Sequence, residues 1–271
     1  MLNKKSVNFF KYINSTGALI NKNNFSINST KKKTNTKCKG FTIASLLLKN
    51  EIYSLKLIGQ FDNKFLILLR LTDHAIIIFD QHAVHERILY EYYTSLLFNE
   101  IFGVKNKKTS DGKTKLYLFE SIFDIFHLKK LVRIKCDDFN IKMNKFINKF
   151  DKDKVHNLFY FTFSYDDNGY ITFYSFPIIF DKLHKIEKLI IIFATLINDI
   201  DYYLKLYQNQ STKFIDLFSY HIKSKACRNA VKFNDELERE FINELMQSLS
   251  LCNNPFLCAH GRHNFYLLKR K

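Results

Sequence analysis

The residues best suited to chemistry lie where an apolar segment gives way to polar side chains. The β-branched and aromatic run Ile76–Phe79 predicts a buried strand, and Asp80 follows it directly. Apolar residues then return at helical spacing, which predicts a helix from about His82 to Phe98. His82 and Glu86 are four residues apart and therefore share one face of that helix. An aspartate, a histidine and a glutamate at one junction can each offer a lone pair to a divalent cation.

A second interpretation of these residues needs no metal. An aspartate at the end of a strand is a common helix cap, whose carboxylate accepts a backbone N–H. Glu91 is open to interpretation in the same way, because it lies well round the helix from Glu86 and can pair with Arg87 one turn back. This stretch alone leaves a metal site and a capped helix as alternatives.

Further candidate ligands lie near the end of the chain. Cys227 is one, and Cys258 and His260 are separated by a single residue. If that segment is a strand, Cys258 and His260 lie on one face and can point at the same ion. A cysteine buried as a small hydrophobic residue is the alternative for Cys227. Thiolate and imidazole favour zinc, whereas the carboxylates also admit manganese or magnesium.

Charge indicates an anionic partner. The net charge is +16, and residues 1–39 contain nine lysines and no acidic residue. We expect these residues to form a basic disordered arm or linker. A mitochondrial transit peptide is the second interpretation, but such peptides favour arginine and residues 1–39 contain none. A basic chain is compatible with binding to nucleic acid.

Cysteine usage and hydropathy exclude two other classes of protein. The five cysteines are odd in number and widely spaced, which indicates a reducing compartment and not a disulfide framework. The longest apolar run, Leu189–Ile197, has nine residues, too few to span a bilayer. We therefore expect no membrane partner.

The pattern predicts an insertion within one subdomain. Strands over residues 54–61, 64–71 and 75–79 precede the helix that begins near His82, and Asp62-Asn63 predicts a hairpin turn. From about residue 100 to residue 208 no metal-ligand cluster occurs. We predict a domain of residues 40–99 plus 209–271, interrupted by a smaller subdomain of residues 100–208.

Local signals predict three further features. Asp166-Asp167-Asn168-Gly169 lies between two alternating segments, which predicts a hairpin. Residues 181–207 predict one long helix. Asp235-Glu236-Leu237-Glu238 has the spacing of a capping box and predicts the start of a helix that runs to about Ser250.

Three motifs resemble those of a known family. Asp80-Gln81-His82-Ala83-x-x-Glu86-x-x-x-x-Glu91 resembles the endonuclease signature of the MutL mismatch-repair family at every specified position. Ala226-Cys227-Arg228-Asn229 is similar to its second motif, and Cys258-Ala259-His260-Gly261-Arg262 to its third. Pro255-Phe256 before the third motif is most similar to the MutL-homologue-three branch, the meiotic MutL-gamma subunit. The resemblance covers roughly residues 50–271.

The resemblance implies an α+β fold in two parts. A dimerisation subdomain, with a mixed sheet plus helices, carries the site, and the inserted subdomain is regulatory. It also implies a nuclear, metal-dependent endonuclease that nicks one strand of duplex DNA in mismatch repair or meiotic recombination. The obligate partner is a MutL-homologue-one-type subunit.

The resemblance also implies roles for individual residues. Six residues bind divalent metal, with zinc favoured and manganese or magnesium used for nicking: Asp80, His82, Glu86, Cys227, Cys258 and His260. Asp80 and Glu86 belong to the catalytic set together with Gln81 and Glu91, which support or orient the ligands. Arg228 and Arg262 also support or orient the ligands. Independently of the resemblance, their positive charge makes both candidates to hold the DNA backbone.

Two departures from the family pattern stand out. His263 occupies a position where the family usually has proline. It either leaves function unchanged, which we favour, or adds a spare ligand. No glycine-rich ATP-lid sequence occurs, so the family's ATPase domain is not visible in this chain. Gln247-Ser248-Leu249-Ser250-Leu251 superficially resembles a motif for a sliding clamp, a further candidate partner, but its place in a predicted helix favours core packing.

The alternative to a nuclease is a catalytically silent dimerisation module with one structural zinc. A closed structural zinc site needs four ligands, usually cysteine and histidine. Such a site does not require Asp80 and Glu86 as well, so the carboxylates favour the nuclease.

Overall fold

The structure is a computed structural model, and it describes most of the chain after the basic arm. The described residues are 41–43, 47–102, 123–147, 149–180 and 184–270. The predicted arm of residues 1–39 lies outside them. Among the described helices, none combines the length and the apolar character that a bilayer crossing requires.

Strands and helices alternate irregularly along the chain. The strands are β1 Phe41–Ile43, β2 Lys56–Phe61, β3 Phe65–Arg70, β4 Ala75–Asp80, β5 Phe123–Lys135, β6 His156–Leu158, β7 Phe161–Tyr165, β8 Tyr170–Ile179 and β9 Phe265–Arg270. The α-helices are α1 Gln81–Ile101, α2 Asn144–Ile147, α3 Ile186–Asn198, α4 Ile200–Gln208, α5 Thr212–Ile215, α6 Ser219–Asn229 and α7 Arg239–Leu251. Short 3₁₀ helices are Lys49–Ser54, Cys136–Phe139 and Asp216–Phe218. The predicted α+β class is confirmed.

The chain forms two compact units. One consists of Met1–Ile88 and Val231–Lys271, and the other is the continuous segment Leu89–Ala230. The first unit contains the strand-to-helix junction at Asp80 and the C-terminal motif. The dimerisation and regulatory roles expected of the two predicted subdomains stay predictions.

The first unit is built on a five-stranded sheet in the order β1-β9-β4-β3-β2. Each recorded pairing in this sheet is antiparallel, whereas the family resemblance implied a mixed sheet. The difference has a local cause, because short turns join β2 to β3 and β3 to β4. The C-terminal strand β9 then enters antiparallel between β1 and β4.

The turn between β2 and β3 is the one that the sequence predicted. Asp62 and Asn63 have φ angles of 52° and 45°. The N–H of Lys64 closes the turn on the carbonyl of Phe61 at 3.1 Å. Two successive positive φ angles suit a tight hairpin, and aspartate and asparagine tolerate them better than most residues.

The two faces of this sheet differ in burial. Leu66, Leu68, Ile77 and Phe79 are buried in the core of the first unit, which α7 also helps to form. Because side chains alternate along a strand, the neighbouring apolar residues lie on the opposite face. Those residues are half-buried or exposed: Ile67, Leu69, Ile76, Ile78, Tyr266 and Leu268. The first unit therefore has an apolar sheet face, which we call the open face.

The second unit contains an antiparallel sheet in the order β5-β8-β7-β6. The predicted hairpin is confirmed at the β7–β8 turn. The side chain of Asp166 accepts the N–H groups of Asn168 at 2.9 Å and Tyr170 at 3.0 Å. Gly169 has a φ of 76°, which few other residues adopt without strain.

A cluster of phenylalanines holds the second unit together. The ring of Phe193 on α3 packs against three rings of the sheet, with centroid distances from 4.8 to 5.3 Å. Those rings belong to Phe161, Phe163 and Phe173, and each is completely buried. Contacts between tilted and perpendicular rings of this kind stabilise a core beyond the burial of apolar area.

Two helix predictions are wrong in detail. The single helix predicted over residues 181–207 is broken at Asp199, whose φ and ψ of −125° and 43° separate α3 from α4. Asn198 beside it uses its side chain in tertiary hydrogen bonds, as polar residues at helix ends often do. The predicted capping box does not form, because α7 begins at Arg239 without a side-chain cap and Asp235 instead accepts the N–H of Lys232.

One buried histidine lowers the stability of the second unit at low pH. His221 is 1% exposed, neither ring nitrogen has a hydrogen-bond partner among the described residues, and its ring lies 4.0 Å from that of His184. Burial, with His184 and Lys188 contributing, lowers the pKa of His221 to about 3.

His221 should make the fold sensitive to acid. Its pKa is lower in the folded chain than in the unfolded chain, so folding is unaffected above about pH 6.5 and loses stability as the pH falls towards 3. The expected slope is roughly 1.4 kcal/mol per pH unit. His221→Phe should flatten the decline in melting temperature between pH 6.5 and pH 4. The neighbouring Tyr220→Phe is the control, and equal slopes in all three proteins would contradict the assignment.

Candidate metal centre

The carboxylate of Asp80 caps α1. Its Oδ1 accepts the N–H of Ala83 at 2.9 Å, which is the N-cap interaction that the sequence left open beside metal binding. The N–H of Asp80 donates to the carbonyl of Asn264 at 2.9 Å and ties the strand end to the C-terminal segment. Capping uses one carboxylate oxygen, so the cap and a ligand role are compatible.

Gln81 is completely buried and holds main-chain atoms together. Its Nε2 donates to the carbonyls of Asn63 at 2.9 Å and Lys232 at 2.7 Å. Its Oε1 accepts from Nε2 of Gln60 at 2.5 Å. Gln81 thus fixes the segment after Ala230 against the β2–β3 turn, which is a positioning role.

That segment in turn orients His82. The Nδ1 of His82 lies 2.7 Å from the carbonyl oxygen of Val231, and because a carbonyl can only accept, Nδ1 is the donor. The Nε2 atom lies 3.9 Å from Oε2 of Glu86. A histidine held through one nitrogen by a backbone carbonyl is the usual arrangement of a metal-binding imidazole.

Three side chains meet around Glu86. Nδ1 of His260 lies 2.6 Å from Oε1 of Glu86. The ligand atoms of Glu86, Cys258 and His260 all lie within 4.8 Å of one another, and this is the group within the described residues that fits a metal ion. Glu86 is 3% exposed and Cys258 is 4% exposed. A carboxylate, a thiol and an imidazole therefore share a largely buried site.

Cys258 and His260 meet Glu86 from a turn, so the strand geometry that the sequence analysis considered for them does not apply. The N–H of Gly261 donates to the carbonyl of Cys258 at 3.0 Å, and the N–H of Cys258 donates to the carbonyl of Arg262 at 2.8 Å. Gly261 has a φ of 84°, so this turn requires a residue that tolerates a positive φ. The tight turn brings both side chains together without strand alternation.

The burial of the Glu86 carboxylate favours a bound cation. Oε1 of Glu86 is buried and has no hydrogen-bond partner among the described residues, although His260 Nδ1 is close. A buried carboxylate without a positive partner is costly, and a divalent ion between these atoms would satisfy the oxygen, the imidazole and the thiol together. The donor set fits a divalent metal on these grounds.

His85, on the same turn of α1, is held neutral. Its Nδ1 accepts the N–H of Val231 at 3.1 Å. Burial, with His82 and Lys232 contributing, lowers the pKa of His85 to about 4. The backbone of Val231 therefore contacts two histidines of the same helix, one through its carbonyl and one through its N–H.

Three of the other predicted site residues belong to the second unit. They are Glu91, Cys227 and Arg228, and Arg228 donates to the hydroxyl of Ser224 at 2.8 Å. Arg262 is exposed beside the Cys258 turn. In residues 247–251, which resemble a sliding-clamp motif, Leu249 is completely buried in the core of the first unit, as expected for core packing.

Sequence reasoning missed the main-chain atoms that hold the site and the arginine that contacts some of them. The buried side chain of Arg87 donates to the carbonyls of Leu257 and Cys258, and the Val231 carbonyl orients His82. Backbone carbonyls carry no sequence signal. The adjacency of Arg87 to Glu86 was the only hint available.

The chain is similar to bacterial proteins named DNA mismatch repair protein MutL. The protein from Clostridium botulinum is 30% identical over 229 residues, covering 84% of this chain and 28% of the relative. That from Clostridium tetani is 28% identical over 216 residues, covering 79% and 28%. That from Leptospira biflexa is 24% identical over 200 residues, covering 74% and 26%. The chain thus spans about a quarter of the length of these relatives. No protein family model matches the chain.

Neutralising Glu86 should have opposite effects with and without metal. Glu86→Gln removes a buried charge, so the metal-free variant should melt at a higher temperature than the metal-free wild type. With zinc present the order should reverse, because the variant loses a charged ligand and with it at least about tenfold in zinc affinity. Thermal unfolding with chelator and with zinc measures both effects.

The control is Glu240→Gln, which changes an exposed glutamate in the first turn of α7. It should behave as wild type in both conditions. A Glu86→Gln chain that zinc stabilises as much as it stabilises the wild type would rule out Glu86 as a ligand.

Proposed function

We propose that this chain, which similarity relates to the C-terminal region of MutL DNA mismatch repair proteins, is the metal-dependent endonuclease subunit of a MutL-type heterodimer. The relatives' name supports a role in DNA mismatch repair. The observation that carries the nuclease proposal is the buried carboxylate of Glu86, which shares its site with the imidazole of His260 and the thiol of Cys258. The proposed reaction is hydrolysis of one phosphodiester bond in duplex DNA.

The chemistry of the donor set supports catalysis over pure structure. Structural zinc sites are usually closed by four cysteine and histidine ligands, whereas catalytic sites combine fewer protein ligands with an open position. Here a carboxylate lies at the centre of the group, and His82 faces its second oxygen. A bound divalent ion would supply the positive charge that activates water and offsets charge developing on the phosphate.

The chain's own residues would prepare that site. Glu86, Cys258 and His260 would hold the metal, and His82 would add its Nε2 lone pair. Asp80 would contribute negative charge at the start of α1 while it keeps the helix capped. Arg262, exposed beside the turn, would contact a DNA phosphate, which gives affinity without choice of sequence.

The family resemblance extends the proposal to residues of the second unit. Cys227 would be a further ligand, Glu91 would support the ligands, and Arg228 would contact DNA. Zinc is the expected resident metal, with manganese or magnesium used for nicking. The MutL-homologue-three assignment, and with it the nucleus and a meiotic role, rests on the form of the third motif.

The partner proposal rests on the open face of the first unit. Ile78 pairs with Tyr266 across β4 and β9, and Ile76 pairs with Leu268, so two rows of apolar side chains lie next to each other. Tyr266 is 60% exposed. A contiguous apolar surface of this kind marks an interface. We assign it to a MutL-homologue-one-type C-terminal domain, the partner that the resemblance implies.

The alternative function is a dimerisation module with a structural zinc. The thiol of Cys258 and the imidazole of His260 are the observation that favours it, since both are zinc ligands. The structural-zinc module and the nuclease predict different effects of replacing Asp80.

Two substitutions separate these functions. Asp80→Asn keeps an oxygen that can accept the N–H of Ala83, so α1 stays capped and the melting temperature should change little. Nicking should nevertheless fall by roughly a hundredfold or more, because the carboxylate charge is lost. Cys258→Ser should release zinc and lower the melting temperature, since metal binding is coupled to folding. Plasmid nicking with manganese, partner present, and zinc analysis of each protein are the measurements.

The structural alternative predicts no nicking by any of these proteins. A wild-type complex that holds zinc and leaves supercoiled DNA intact with manganese or magnesium would therefore refute the nuclease proposal.

A charge placed on the open face should weaken the heterodimer. Tyr266→Asp puts a carboxylate among apolar neighbours, so affinity for the homologue-one-type domain should drop by about tenfold or more. Tyr53→Asp is the matched control, because Tyr53 is 74% exposed on a 3₁₀ helix of the same unit. Sedimentation of each variant with the partner measures the difference. Equal affinity in the two variants would place the interface elsewhere.

A further inference from the structure

A buried arginine connects α1 to the turn that carries two of the metal-binding side chains. Arg87 is 6% exposed and directly follows Glu86 in the first turns of α1. Its Nε donates to the carbonyl of Leu257 at 2.5 Å, and its Nη2 donates to the carbonyl of Cys258 at 2.5 Å. Both acceptors are main-chain atoms: one lies just before the Cys258–Arg262 turn and the other in its first residue.

The two bonds fix the part of the turn that places the thiol. The carbonyl of Cys258 also accepts the N–H of Gly261 at 3.0 Å, so this single oxygen joins the turn's own hydrogen bond to Arg87. Arg87 therefore holds the backbone of the same residue that carries the sulfur Sγ. A change in this contact would therefore move the thiol relative to Glu86.

A guanidinium suits this task better than an ammonium. Its N–H groups form a rigid planar fork, which can reach two carbonyls in fixed directions. A lysine offers one flexible charged nitrogen and cannot reproduce the pair of bonds. Two neighbouring residues thus connect α1 to the Cys258–Arg262 turn. Glu86 does so through the group of metal-binding side chains, and Arg87 through backbone carbonyls.

We propose that Arg87 is a positioning residue that sets the thiolate of Cys258 as a ligand by holding the carbonyls of Leu257 and Cys258. This inference rests on the metal group of the proposed function. In this role Arg87 would act on the placement of the ligand and would not itself bind the metal. Its loss should alter the ligands that the metal receives and not only the stability of the fold.

Cobalt(II) reports this directly, because a thiolate bound to cobalt gives a charge-transfer absorption band that carboxylate and imidazole ligands lack. The full chain would be titrated with cobalt(II) as wild type, Arg87→Lys and Cys258→Ser. The Cys258→Ser chain defines the share of the band that belongs to Cys258. Arg70→Lys is the matched control, since Arg70 lies in the same unit and its guanidinium also donates two hydrogen bonds to one neighbouring residue, the carboxylate of Asp73.

For Arg87→Lys we expect cobalt affinity to fall by about 10- to 100-fold, the range found when residues behind metal ligands are removed. At saturating cobalt the Cys258 share of the band should fall to less than about half of the wild-type value. Arg70→Lys should match wild type in both measurements. If Arg87→Lys does not fold, as judged by circular dichroism, Arg87→Gln, which keeps a neutral donor, is measured instead.

The outcomes separate this inference from the proposed function. A wild-type chain with no Cys258-dependent band would overturn the metal group and the role of Arg87 together. A wild-type band that persists at full strength and affinity in the folded Arg87 variant would overturn the positioning role alone. A lower melting temperature with an unchanged band has the same consequence, because it identifies Arg87 as structural only.

Discussion

A carboxylate buried in the first turns of α1 is the constraint on which the first unit depends. Glu86 is 3% exposed, and a charge removed from water to that degree needs a positive partner close by. Its Oε1 faces His260 and its Oε2 faces His82. The start of α1 and the turn that follows α7 place those two imidazoles beside it, and a divalent ion among them would supply the positive charge.

Main-chain atoms do most of the positioning around this carboxylate. The carbonyl of Val231 fixes the tautomer of His82, and the carbonyl of Cys258 is held by Arg87. Gln81 in turn fixes the segment that contains Val231, through the carbonyl of Lys232. A site held through backbone atoms is rigid, because each contact restrains a segment of chain and not one flexible side chain.

The sequence predicted the features that depend on local pattern. The strand before Asp80 and the helix after it follow from apolar periodicity, and the hairpin at Asp166–Gly169 follows from turn chemistry. It could not predict the break at Asp199, because long apolar runs on both sides resemble one helix. The sequence left the backbone of residues 258–260 open, since a strand and a tight turn both bring alternate residues together and the positive φ at Gly261 distinguishes them.

X-ray absorption at the zinc edge of the purified chain tests the central claim most directly. If Glu86, Cys258 and His260 bind one ion, we expect sulfur ligation at about 2.3 Å together with nitrogen and oxygen ligands at about 2.0–2.2 Å. The sulfur contribution should decrease in Cys258→Ser, and the oxygen contribution should decrease in Glu86→Gln. Zinc surrounded by sulfur and imidazole alone, or a chain that binds no zinc, would contradict a metal site built on the buried carboxylate.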